Sequence, residues 1–265
     1  PTIRSTLARH RATMSLAPPP PPRSSREFDL IVYGANGFTG ALAADYLAKT
    51  YARDVRVALA GRDVEKLART RDTIVTDRSV PASTLPVIVA NDARTMRDMC
   101  ARASCVLTFA GPYDDDGDTG GVALAKTCAR LGTDYCDISG EPRFVRRVIE
   151  ACDEEARGTR TASVSCCGYD SVPWDVGCRA AADACAANGG ACASAFGHAG
   201  RARGGVSGGT IVSAAKAVSR PKSETRGIGD PLYLARGALE DERRWKSPQG
   251  WWRYDEDTKR WTMPS

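Results

Sequence analysis

The chain has 265 residues, 42% hydrophobic and 26% charged, with a formal net charge of +5, which suits one large domain or two smaller ones around a sizeable core. No run approaches the roughly 18 consecutive apolar residues of a membrane-crossing helix, so any membrane contact is expected to be peripheral or to lie in further sequence. The basic excess is local: Arg4, Arg9, Arg11, Arg23 and Arg26 precede the first acidic residue, Glu27, and the remaining 37 − 5 = 32 basic residues balance 32 acidic ones, which argues against a nucleic-acid partner.

Residues 1–26 are read as a disordered or transit-like leader. Their acid-free Ser, Thr and Arg content is similar to an organelle transit peptide, and equally to a disordered tail or to an untranslated stretch read through to Met14. A chain beginning at Pro1 is not expected to be an intact start. Pro18 to Pro22 form a polyproline spacer that cannot join a core and marks the entry to the first domain.

From there a strand-and-helix rhythm begins. Phe28 to Tyr33 is a short apolar run that stops at Gly34, and from Gly37 onward Phe38, Leu42 and Tyr46 fall at helical spacing. Gly34-Ala35-Asn36-Gly37-Phe38-Thr39-Gly40 between them is a GxxGxxG turn. Gly34 permits the tight turn, Gly37 lets backbone approach a pyrophosphate, and Gly40 lets the helix pack closely on the strand. The phosphates would then meet free N–H groups at the positive end of a helix dipole.

The second strand, residues 55–60, ends in Gly61-Arg62. A protein that selects NAD usually places a carboxylate there for the ribose 2′-hydroxyl. Arg62 instead offers a planar donor fork suited to a 2′-phosphate, with Lys66 one turn later as a second cation, so the expected cofactor is NADP. A third strand, 87–90, leads to Asp92, expected beside the adenine, and a fourth, 105–110, leads to Gly111, Pro112 and Tyr113. A fifth, 134–138, precedes Ser139-Gly140-Glu141-Pro142 and an amphipathic helix carrying Phe144, Val148 and Cys152. A sixth, 161–166, ends at Gly168 to Pro173. This alternation predicts an α/β fold: a Rossmann doubly wound parallel sheet over 27–178, followed at 179–265 by the start of an incomplete α+β substrate domain. In that second part a short helix is expected at 210–218, and Trp245, Trp251, Trp252 and Trp261 lie among alternating charges. Those tryptophans suit an irregular hairpin, a lid or a lipid-facing surface.

Ten cysteines lie in apparent strands and helices, as at Cys105, Cys128, Cys136 and Cys152, and read as small buried hydrophobes. The pair Cys166-Cys167 has no CxxC spacing and only His10 and His198 as imidazole companions, so no metal site is expected.

Five motifs in order carry a family resemblance: Val32 to Gly40, Ala60-Gly61-Arg62, Ala110 to Tyr113, Asp137 to Glu141, and Gly168 to Asp175. Together they resemble the saccharopine dehydrogenase-like oxidoreductases, from about Glu27 through Thr210 and more loosely beyond. That family includes the trans-acting enoyl reductases of mycobacterial glycolipid synthesis. The resemblance implies an NADP-dependent enzyme of lipid or glycolipid metabolism that reduces an enoyl or keto group of a small-molecule or lipid substrate. The animal members imply a lipid-droplet or membrane surface, the plant members a mitochondrion. Family members continue for well over a hundred residues past Pro264, so the substrate domain is expected to be incomplete, and no Lys and His pair fits saccharopine chemistry.

Hydride transfer also needs a proton donor or acceptor near the nicotinamide. Tyr113, Asp137, Glu141 and Asp170 all follow carboxyl ends of strands and are the candidates. For Asp137, Ser139 and Asp170 the competing reading is a helix cap or a partner for loop N–H groups. With no evident acid–base pair, a cofactor-binding protein without turnover is the alternative to an enzyme.

Overall fold

Six short apolar runs pair into one parallel sheet in the order β3-β2-β1-β4-β5-β6, the doubly wound order of dinucleotide-binding folds. The structure is a computed structural model that describes residues 22–51, 54–78, 81, 84–195, 197, 208–221, 233–234, 253–255 and 260–262. The strands are β1 (Phe28–Tyr33), β2 (Val57–Gly61), β3 (Val87–Val89), β4 (Ala103–Thr108), β5 (Asp134–Asp137) and β6 (Ser163–Val164). Between them run α1 (Phe38–Tyr51), α2 (Val64–Arg78), α3 (Ala93–Ala101), α4 (Gly121–Leu131) and α5 (Pro142–Thr159), and after β6 come α6 (Val172–Ala187) and α7 (Gly208–Ser219).

Alternation along the strands sends side chains into two cores. Val32 and Leu59 point toward Ala44, Leu47, Leu67 and Ile74 of α1 and α2. Their neighbours Ile31, Tyr33, Ala58 and Ala60 face Met96, Met99, Leu124, Phe144 and Val148 of α3, α4 and α5. Both faces of the sheet are therefore covered, as parallel sheets require. Ile31, Leu59, Leu67, Met96, Leu124 and Phe144 are almost wholly enclosed, each side chain contributing about 1.5–3 kcal/mol of burial. As the sequence predicts, Pro142 opens α5, and Phe144, Val148 and Cys152 form its buried face.

The structure departs from the sequence expectations in several places. On α1 the buried residues are Gly40, Ala44, Leu47 and Ala48, whereas Phe38, Leu42 and Tyr46 are exposed at 71, 56 and 56%. Both stripes have helical spacing, and the sheet takes the one whose small residues allow the closer approach. The strand expected at 161–166 shortens to Ser163–Val164, an exposed edge strand paired only with β5.

The polar segment before β1 is also part of the fold. Arg26 is buried and donates to the Leu131 carbonyl at 2.6 Å and Thr133 Oγ1 at 2.7 Å. Arg23 forks onto Asp134, both contacts at 2.8 Å. Two of the five leader arginines thus brace the base of β4 and β5, and residues 1–21 lie outside the described residues. The boundary expected at 178 falls within the continuous helix α6. Near the C-terminus β7 (Arg253–Asp255) and β8 (Arg260–Thr262) pair antiparallel, as a hairpin requires; Trp245, Trp251 and Trp252 lie outside the described residues. No described helix is long and apolar enough to cross a membrane.

Candidate functional site: the carboxyl edge of the sheet

The glycine turn caps the carboxyl end of β1. Gly34 has a φ of +81°, and a Cβ there would lie 2.8 Å from the Ala110 backbone nitrogen, so only glycine satisfies both the left-handed backbone and the close approach. Gly34 N and Ala35 N donate to the Ala60 carbonyl at 2.8 and 3.2 Å, tying the turn to β2. A Cβ on Gly40 would meet the Gly34 carbonyl oxygen at 2.2 Å, so the first turn of α1 lies directly against the glycine turn. Gly37 is outside the left-handed region, and its missing Cβ would come no nearer than 3.3 Å to that oxygen. Ala41 N makes the first helical bond, to the Gly37 carbonyl. The N–H groups of Phe38, Thr39 and Gly40 precede it and have no acceptor within the helix. Bare backbone, a glycine cradle and a helix N-terminus together fit a pyrophosphate.

Beside this turn, Asn36 lies across the end of β2, its Oδ1 2.9 Å from where a Gly61 Cβ would be. Arg62 follows, exposed, and has no hydrogen bond or ion pair among the described residues. Its neighbour cation is differently placed: Lys66 Nζ stands 3.5 Å from Asp63 Oδ2, and the same carboxylate accepts from Lys66 N at 3.0 Å. Asp63 starts α2 and already neutralises the second cation, which leaves Arg62 as the open donor fork. Asp92, expected beside the adenine, is the N-cap of α3. Its Oδ1 accepts from Thr95 N at 2.7 Å while Thr95 Oγ1 accepts from Asp92 N at 3.1 Å, a reciprocal cap whose hydrogen bonds hold the Asp92 carboxyl below the usual carboxylate range.

The loop after β4 forms the other wall. Gly111-Pro112 is a cis peptide and Gly111 is exposed. Tyr113, a candidate proton donor, turns inward instead. Its hydroxyl donates to the Thr108 carbonyl at 3.0 Å, and its ring packs 5.5 Å from Phe144. Burial pushes the phenol far above its ordinary range, so its proton is committed to the core. Asp137 is likewise enclosed: it accepts from Ser139 N at 2.9 Å, Cys166 N at 3.1 Å and Ser165 Oγ at 2.8 Å. That carboxylate staples the loops after β5 and β6, the partner-for-loop-N–H geometry. Glu141 is half-buried, its Oε1 accepting from Tyr113 N at 3.3 Å and Ser213 Oγ of α7 at 3.1 Å.

Asp170 differs from these three. It is exposed, makes no side-chain hydrogen bond among the described residues, and leaves the cap position of α6 to Ser171, which makes no side-chain cap bond either. Its oxygens rest 2.9 and 2.8 Å from where Cβ atoms of Gly140 and Gly168 would be, so two glycine backbones make room for this carboxylate at the mouth between the β5 and β6 loops.

The cysteines divide by depth. Cys100, Cys128 and Cys152 are buried, and Cys178 on α6 is exposed. Burial pushes the Cys166 and Cys167 thiols up to about 11, which keeps them protonated and unreactive at neutral pH. Among the described residues no three His, Cys, Asp or Glu side chains converge as a metal site.

One cluster escapes sequence reasoning. Asp114, Asp115 and Asp116, directly after Tyr113, are engaged by Arg143 and Arg147 of α5 and by Lys216 and Arg220 of the α7 segment. Three successive aspartates and an arginine-rich helix were the available signal, but in a sequence such charges read as solvated faces.

Comparison with known proteins agrees with this geometry. Residues 30–164 match the family described as saccharopine dehydrogenase NADP binding domain. A Mycobacterium tuberculosis protein, provisionally named a trans-acting enoyl reductase, is 37% identical over 221 residues, covering 80% of this chain and 51% of that protein. The trans-acting enoyl reductase of Mycobacterium leprae is 40% identical over 153 residues, covering 57% of this chain and 34% of that protein. This chain thus spans about half the length of the first relative and about a third of the second. A short-chain type dehydrogenase/reductase from Mycobacterium ulcerans is 15% identical with a TM-score of 0.39, covering 53% of this chain and 66% of that one; the fold rests on the strand order itself. Strand order and glycine turn fit a dinucleotide, the family match identifies it as NADP, and the chain belongs to the saccharopine dehydrogenase NADP-binding-domain family.

Proposed function

We propose that this chain is the cofactor-binding part of an NADP-dependent oxidoreductase that reduces an enoyl or keto group of a lipid-like or other small-molecule substrate. The observation that carries the reading is the open Arg62 fork beside a glycine turn built for a pyrophosphate, on the sheet order of dinucleotide-binding folds. The trans-acting enoyl reductase names of two relatives favour the enoyl class.

When bound, NADPH supplies a hydride to an activated carbon of the substrate. The chain's own groups hold and orient it. Gly34 to Gly40 would cradle the pyrophosphate, with the helix-start N–H groups of Phe38, Thr39 and Gly40 donating to it, Arg62 would pair with the 2′-phosphate, and Gly111 and Pro112 would wall the nicotinamide side. Asp92 shapes the adenine side through the α3 cap. Among the four acid–base candidates, Asp170 is the carboxylate open to a substrate's polar group, Glu141 is held by Tyr113 N and Ser213 Oγ, and Tyr113 and Asp137 position the loops. The test is NADPH oxidation by the full-length protein against a panel of enoyl and keto lipids, with turnover of at least one expected.

A second reading, cofactor binding without turnover at a lipid-droplet or membrane surface, draws on the commitment of Tyr113 and Asp137 to internal hydrogen bonds. Tight NADPH binding with persistent inactivity across the panel would favour it.

A further inference from the structure

The Asp114 cluster stands directly against the nicotinamide-side wall. Asp114 has a side chain only 2% exposed, yet three guanidinium groups converge on it. Arg143 and Arg147 come from successive turns of α5, and Arg220, just past α7, reaches its Oδ2 at 3.0 Å and its backbone carbonyl at 3.1 Å. Asp116 takes the other arm of Arg147, and Lys216 of α7 pairs with Asp115. Ser213, Lys216 and Arg220 follow helical spacing, so one face of the α7 segment docks on this loop and on Glu141.

The other end of the same loop is fixed to the glycine turn. Phe109 N donates to the Tyr33 carbonyl at 2.8 Å, and Ala110 backbone occupies the space left by the missing Gly34 side chain. Residues 109–114 are therefore stretched between two anchors, one at the pyrophosphate site and one at the buried ion cluster. Gly111 and Pro112 lie between them.

From this geometry we infer that Asp114 is a positioning residue: its clasp with Arg143, Arg147 and Arg220 sets the Gly111–Pro112 wall against the nicotinamide half of the cofactor and couples that wall to α7. A buried carboxylate shared by three cations has few alternative arrangements, because removing Asp114 leaves three part-buried guanidinium groups without the carboxylate they share, and removing Arg220 cuts the tie to the α7 segment while Arg143 and Arg147 still hold Asp114. The wall is thus held in one place without touching the adenine half of the site. The inference rests on the NADP reading above, and the experiment separates the two.

Dissociation constants of the full chain for NADPH and for adenosine 2′,5′-bisphosphate, which lacks the nicotinamide half, are measured by titration calorimetry in the parent and in the Asp114→Asn and Arg220→Gln variants. Loss of the clasp should weaken NADPH binding about 3- to 30-fold, the range of typical coupling energies, while binding of the bisphosphate stays within about twofold, as for surface changes remote from a site. Arg220→Gln keeps the test open if Asp114→Asn fails to fold, because Arg220 is the more exposed partner. Unchanged NADPH affinity in a folded variant, or equal weakening of both ligands, would overturn the clasp's role. A parent chain that binds neither ligand would overturn the cofactor reading itself and the inference with it.

Discussion

On the proposed function, cofactor choice turns on Arg62. Arg62→Ala should cost about 1.5–3 kcal/mol of NADP(H) affinity, the range for hydrogen bonds to charged groups, and leave NAD(H) affinity almost unchanged. Parallel titrations of both cofactors check it, and equal losses for the two would remove the 2′-phosphate from the account. Lys66→Ala should matter less, since Asp63 already holds that ammonium. Tyr113→Phe should lower stability by about 0.5–1.5 kcal/mol, as for one intramolecular hydrogen bond, without weakening NADPH binding; a thermal melt and a titration on the same variant read both. The sequence places Arg62 directly after a strand and a glycine, and the structure leaves it exposed at the end of β2, as that order implies. The inward turn of Tyr113 was not legible. A residue that follows a strand can face the cofactor or the core, and here Gly121 leaves room for the Tyr113 carbonyl and for the Phe144 ring, against which the Tyr113 ring packs. Asp137 and Asp92 could be placed at strand ends, but their occupied hydrogen bonds depend on where the neighbouring loops fold back.

At the scale of elements, the β1–turn–α1 unit makes two separable demands. Gly40→Val puts a branched side chain where 2.2 Å separates the Cβ position from the Gly34 carbonyl oxygen. Overpacking of that kind costs about 1–3 kcal/mol or more, and the melting temperature should fall along with NADPH binding. Gly37→Val, outside the left-handed region, should keep circular dichroism and melting temperature near those of the parent while NADPH binding fails, because the branched side chain obstructs the anion site. Undiminished binding by a folded Gly37→Val protein would mean the turn is not the pyrophosphate site. The unit itself was legible, but which stripe of α1 faces the sheet was not. Apolar periodicity favoured bulky Phe38, Leu42 and Tyr46, whereas the close approach forced by Gly40 selects Gly, Ala and Leu. Edge strand β6 has a single neighbour, and its pairing covers only Tyr135 and Cys136 of β5.

For the whole molecule, strand rhythm foretold the doubly wound sheet, since consecutive βα units in open parallel sheets have few ways to wind. The ion cluster tying α7 to the β4 loop could not be foreseen, because it joins residues about a hundred positions apart. Ion pairs also set the acid response. Hydrogen bonds from Arg102, Arg56 and Arg147 hold Glu27, Asp29 and Asp116 below the usual carboxylate range, and helix-start N–H groups do the same for Asp63 and Asp92. A carboxyl depressed in the folded state contributes stability above its unfolded pKa and loses it as pH falls through the folded one. Melting temperature should therefore be flat above about pH 5 and drop below about pH 4, where ordinary carboxyls titrate; a flat profile to pH 3 would contradict the pairs. The central claim is tested most directly by titrating the chain with NADPH and NADH side by side. One NADPH site per chain is expected, at least about tenfold tighter than for NADH, as a charge-assisted contact of about 1.5 kcal/mol implies. Equal affinity for the two, or no NADPH binding at all, would contradict it.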